Sequence, residues 1–124
     1  MRAGGPRVFT LDDDPTLHHL IQAFFTQHRP DVSLSGFIRL DDMLAADDLL
    51  SVDLFVLDIN LSDTVSGFDV PGLLPPPCRS AAYLFMSGFT VDIEAYNRAR
   101  FLPLFDFLPK PFSDVVFIHG AEML

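Results

Sequence analysis

A chain of 124 residues, 49% of them hydrophobic, has material for one ordinary folded domain with a shared core and no room for a second. Seventeen acidic against eight basic residues give a net charge of −9, which argues against direct contact with nucleic acid or an anionic membrane and favours cations and basic partner surfaces. No apolar run approaches the roughly 18 residues of a membrane span, the opening MRAGGPRVFT lacks a secretory apolar stretch, and the lone Cys78 cannot form an internal disulfide, so the expectation is a cytosolic chain in which Cys78 is structural.

Val8 to Leu11 is a short apolar run that stops at Asp12, Asp13 and Asp14, as a buried strand does on reaching a polar edge. Leu17, Leu20, Ile21, Phe24 and Phe25 follow at spacings of three and four, one face of a helix. Asp14-Pro15 supplies its start, an N-cap carboxylate before a first-turn proline. That position makes Asp14 a capping residue rather than a metal ligand. Pro30 ends the helix, Val32 to Phe37 alternates as a second strand, and Leu40, Met43 and Leu44 resume helical spacing.

Leu54 to Leu57 is continuously apolar between Asp53 and Asp58, the pattern of a central parallel strand covered on both faces. A helix over Gly67 to Leu74 is kept short by Pro71, Gly72 and the run Pro75 to Pro77. Tyr83 to Met86 predicts a fourth strand, Ile93 to Arg100 a helix, and Leu104 to Leu108 a fifth strand. The tail from Ser113 to Leu124 sits where a last helix belongs. Its four consecutive bulky residues, Val115, Val116, Phe117 and Ile118, would spread around a helix and leave some apolar surface uncovered, open to a second copy of the chain. Alternating strands and helices imply a parallel sheet with right-handed crossovers and helices on both faces.

In such sheets, sites form beyond the carboxyl ends of the strands. There the sequence sets Asp12-Asp13 after strand one, Asp58 after strand three, Ser87-Gly88 after strand four and Lys110-Pro111 after strand five. Three carboxylates brought together repel one another unless a cation lies between them, and hard oxygen ligands suit magnesium, or manganese in its place. Magnesium shares its shell with phosphate oxygens, so the pocket suits phosphoryl chemistry. Asp58 is then the carboxylate nucleophile, Lys110 balances charge on the phosphoryl group, and Ser87 offers a hydrogen bond to the same oxygens. The four histidines lack zinc-ligand spacing and receive no site.

The stretches VFTLDDDP, LFVLDIN, LFMSGF and FDFLPKPF, in this order, make the chain resemble the receiver domains of two-component response regulators from Arg7 to Ser113. The resemblance implies one domain over 1–124 with a CheY-like (flavodoxin-like) doubly wound sheet of order 2-1-3-4-5. It implies Asp58 as phosphoacceptor, with Asp12, Asp13, Asp58 and the backbone carbonyl of Asn60 holding magnesium. It also implies Ser87 as the switch hydroxyl, Lys110 as the lysine of the motif, Phe107 as the aromatic that changes rotamer on activation, and a cis bond between Lys110 and Pro111. The implied partners are a sensor histidine kinase or phosphotransfer protein and a downstream effector. The only chemistry implied is the domain's own phosphorylation and dephosphorylation.

The sequence departs from the family pattern in places. Ser62 stands where a proline is common, Gly67 comes about one residue late, Pro109 replaces a small polar residue before Lys110, and the tail SDVVFIHGAEML is short and β-branched. The tail favours an alternative, an interaction module with the same fold whose output is independent of phosphate, while the intact set of Asp12, Asp13, Asp58, Ser87 and Lys110 argues against it. A phosphohydrolase of the haloacid dehalogenase type would need a second aspartate where Asn60 stands.

Overall fold

The computed structural model describes residues 5–61, 65–88, 97–122 and 124. Five strands, β1 (Arg7–Leu11), β2 (Ser33–Phe37), β3 (Leu54–Asp58), β4 (Ala82–Ser87) and β5 (Leu104–Pro109), form one parallel sheet in the order β2-β1-β3-β4-β5. Between and after them run α1 (Pro15–His28), α2 (Leu40–Leu44), α3 (Val70–Leu73) and α4 (Asp114–Glu122), with short 3-10 turns at Leu49–Ser51, Gly67–Asp69 and Pro76–Ser80. No helix among the described residues is long and apolar enough to cross a membrane.

Alternation along the central strands divides the core into two layers. Val8, Leu54, Val56, Ala82, Leu84 and Met86 face α1 and α4, meeting Ile21, Phe25, Phe117 and Ile118. Phe9, Leu11, Phe55, Leu57, Tyr83 and Phe85 face the other side, meeting Met43, Phe68, Val70, Ala99 and Leu102. A strand covered on both faces has no polar side to show, which is why β3 and β4 are buried along their length and turn polar only at their carboxyl ends, Asp58 and Ser87, apart from the Tyr83 hydroxyl. Asp14 caps α1, its carboxylate accepting from the Thr16 N–H at 2.9 Å, with Pro15 in the first turn.

Two expected segments take definite form. The short helix over Gly67 to Leu74 begins as a 3-10 turn capped reciprocally by Ser66 and Asp69 before passing into α3. The tail folds as a nine-residue helix whose Phe117 is fully buried among Phe24, Phe25 and Phe112, so only Val115 and Val116 of its apolar run are left exposed. Of the helix expected over Ile93 to Arg100, residues 97–99 are helical and 93–96 lie outside the described residues, as does Ser62.

Candidate phosphoacceptor and metal site

Register brings the polar residues to one edge. Leu11 pairs with Leu57, Asp58 with Met86, and Ser87 with Pro109, so Asp12, Asp58, Ser87 and Lys110 leave their strands at nearly one level. The edge is held by backbone bonds beyond the strands: the Ile59 N–H donates to the Met86 carbonyl at 2.9 Å and the Lys110 N–H to the Ser87 carbonyl at 2.7 Å. One carboxylate oxygen from each of Asp12, Asp13 and Asp58 lies within 4.8 Å of the others. Asp12, Asp58 and Ser87 are buried, and Asp13 is exposed.

Lys110 is the counter-charge. Its Nζ donates to Asp12 Oδ2 at 2.8 Å and stands 3.5 Å from Asp58 Oδ2. Burial works against the ammonium, but the hydrogen bond and charge of Asp12, joined by those of Asp58, outweigh it and raise the Lys110 pKa. The Asp58 pKa is raised as well, which for an acid favours the uncharged form. Burial first and the Asp12 charge second hold its carboxyl above the ordinary value, against the pull of the Asn60 N–H and Lys110. Asn60 closes its backbone N–H onto Asp58 Oδ1 at 3.1 Å. One lysine against three clustered carboxylates leaves net negative charge, and the donors are all hard oxygens. That chemistry fits magnesium, with Asp12, Asp13 and Asp58 as the residues that would hold it.

With strand order, register and edge chemistry in view, the comparison with solved structures is decisive for the fold. The chain superposes on the chemotaxis protein CheY4 of Vibrio cholerae with a TM-score of 0.79 at 15% identity, covering 95% of this chain and 97% of that one. The chain has the CheY-like receiver fold. A response regulator receiver protein from Pseudoalteromonas atlantica matches with a TM-score of 0.74 at 18% identity, covering 95% of each chain. The signal receiver domain of a modulated diguanylate cyclase from Desulfovibrio desulfuricans matches at 0.73 and 22% identity, covering 95% of this chain and 91% of that one. No family model and no curated protein matches the sequence.

The remaining expected residues lie at or below this edge of the sheet. The bond between Lys110 and Pro111 is cis. Phe107, half-buried on the edge strand, packs against Phe68, Phe85 and Phe105 at ring-centroid distances of 6.1, 5.9 and 5.7 Å. Gly67, late relative to the family pattern, lies against the backbone of Asp58: a Cβ there would stand 2.3 Å from the Asp58 carbonyl oxygen, so only glycine permits the approach.

One residue at the edge escaped the sequence reading. His18, left without a role there, hydrogen-bonds through Nε2 to the Asp12 carbonyl at 2.8 Å and through Nδ1 to the Thr10 hydroxyl at 2.6 Å. Its signal in the sequence is faint: a histidine one turn past the cap of α1, without a spacing that names its partners.

Proposed function

We propose that this chain is the receiver of a two-component system, taking a phosphoryl group on Asp58 from a sensor histidine kinase or phosphotransfer protein and changing its partner binding in response. The observation that carries the reading is the convergence of Asp12, Asp13 and Asp58 within 4.8 Å, with Lys110 bonded to the first and 3.5 Å from the last. In the transfer, an Asp58 oxygen bonds to phosphorus as the P–N bond of the phosphohistidine breaks. The electron pair leaves with the imidazole nitrogen, which takes up a proton. Hydrolysis reverses the state: water attacks phosphorus and the Asp58 carboxylate departs. The chemistry is self-directed, and no separate substrate is turned over.

Magnesium or manganese, when bound by Asp12, Asp13, Asp58 and the Asn60 carbonyl, supplies positive charge against the phosphoryl oxygens. Lys110, already within reach of Asp58, neutralises a further part of that charge. The Ser87 hydroxyl donates to a phosphoryl oxygen, drawing the end of β4 inward and vacating space for the Phe107 ring, so phosphorylation favours one of two arrangements. An open depression of about 380 Å³ beside Lys110, lined by Leu17, Leu20, Pro111 and Phe112, offers an apolar seat for the phosphodonor protein next to the acceptor. The cytosolic location and the pairing of two copies through the α4 surface belong to the same proposal.

Intact-mass measurement after incubation with acetyl phosphate and magnesium tests the reading. The expected result is one added phosphoryl group that requires the divalent cation and is absent from Asp58→Asn. Labelling that persists in Asp58→Asn removes the assignment, and no labelling at all leaves the phosphate-independent interaction module in its place. Ser87→Ala is expected to keep the phosphoryl group yet lose most of the chemical-shift response at Phe107, and an undiminished response contradicts the switch.

A further inference from the structure

We propose that His18 is a positioning residue of the acidic pocket: it fixes the backbone at Asp12 and thereby tunes the pocket's affinity for a divalent cation. The inference rests on the phosphoacceptor reading and concerns a residue that takes no part in the chemistry. All four polar atoms of Asp12 are held. Its N–H donates to the Phe37 carbonyl at 3.1 Å, its Oδ1 accepts from the Asp14 N–H at 2.9 Å, its Oδ2 accepts from Lys110 at 2.8 Å, and its carbonyl accepts from His18 at 2.8 Å. Of these anchors, only His18 is a side chain of α1.

The carbonyl matters because the peptide unit is planar. Anchoring the Asp12 oxygen sets the plane of the Asp12–Asp13 bond, which fixes the direction in which the chain delivers Asp13, the exposed carboxylate at the mouth. A carbonyl oxygen can only accept, so His18 Nε2 carries the hydrogen, and in the uncharged ring Nδ1 accepts from the Thr10 hydroxyl. Thr10 is fully buried, so this bond also satisfies a hydroxyl that would otherwise be costly to bury. The ring is therefore locked at both nitrogens, and its helix is anchored by the Asp14 cap and by buried Ile21 and Phe25.

Gly36 provides an independent observation. It pairs with Thr10 across β1 and β2, so the two share a level on the sheet, and the His18 ring lies over both. A Cβ at Gly36 would stand 2.8 Å from His18 Nδ1 and 2.9 Å from its Cγ, closer than real contacts allow. Residues 10, 18 and 36, on three different elements, thus fit one another around a ring whose far nitrogen grips the metal-facing loop. Groups that hold metal-ligating residues in place carry roughly ten- to hundredfold of metal affinity.

The test measures Mg2+ affinity by calorimetry for the parent chain, His18→Ala, His18→Gln and Gly36→Ala, alongside thermal midpoints without metal. His18→Ala is expected to bind Mg2+ roughly tenfold more weakly. Gly36→Ala, which displaces the ring from the opposite strand, should lose affinity in the same direction. His18→Gln, whose carboxamide can still donate to the Asp12 carbonyl, should stay close to the parent. Should His18→Ala fail to fold, the glutamine and Gly36→Ala variants decide alone. Lowered midpoints with parent-like affinity in both His18→Ala and Gly36→Ala reduce His18 to a packing residue and overturn the proposal. So does a glutamine variant as weak as alanine. A parent that binds no Mg2+ brings down the phosphoacceptor reading and this inference together, whereas a parent that binds with unaffected variants brings down this inference alone.

Discussion

Asp58 sits in a setting that disfavours its own charge. Burial and the neighbouring Asp12 raise its pKa, so over a window of pH the folded chain retains a proton that the unfolded chain has released. As pH climbs from about 3.9, where free aspartate titrates, through the higher folded-state value, ionising Asp58 progressively costs the fold stability. Above that window the penalty is constant. In the absence of divalent cation, Asp58→Asn should therefore stabilise the protein at pH 7 by about 1 kcal/mol, or roughly 4 °C in Tm. The gain should shrink towards zero below about pH 4. Thermal melts of both proteins across that range check the sign, and an advantage that grew towards acid would contradict it.

Among the elements, α4 is the one whose character depends most on its surroundings. Consecutive residues point about 100° apart on a helix, so a run of four bulky residues must divide between core and solvent. The division falls with Phe117 and Ile118 inside, while Val115 and Val116 are 65% and 51% exposed. Phe117 stacks on Phe112 at 5.5 Å and meets Phe25 edge-on at 5.4 Å, and Asp114 takes a hydrogen bond from His28 at the end of α1. Phe117→Ala should cost about 3–4 kcal/mol in urea unfolding, because the cavity it leaves is walled by rings. Gly120→Ala should do the reverse. A methyl there would stand 3.8 Å from Leu84 Cδ1, an ordinary contact, so the gain in helix propensity, about 0.5–1 kcal/mol, is unopposed.

At the scale of the molecule, the carboxyl edge of the sheet gathers charge, while Val115 and Val116 of α4 and Leu104 of the edge strand β5 are exposed apolar residues. Pairing of two copies through the α4 surface should appear as a rise in weight-average mass with protein concentration in sedimentation, weakened by Val116→Lys. Val116 is the residue to change because its side chain is exposed. A substitution at Phe117 would confound assembly with unfolding. A parent chain that stays monomeric at every concentration would exclude α4-driven pairing.

Local patterns in the sequence determined the five strands, the start of α1 at Asp14-Pro15 and the placement of Asp12, Asp13, Asp58, Ser87 and Lys110 at strand ends. Each of these depends on neighbours only a few positions away: a hydrophobic run, a cap, the residue that follows a run. The strand order came from resemblance, and the register confirms it. Tertiary structure alone decided which half of the tail's apolar run is buried, because helix phase is set by the surface a helix meets. It alone placed Gly67 against the Asp58 backbone and joined Thr10, His18 and Gly36 around one ring. Those contacts link different elements whose separation in space depends on register and packing, and no spacing along the chain records a distance that only the folded sheet creates.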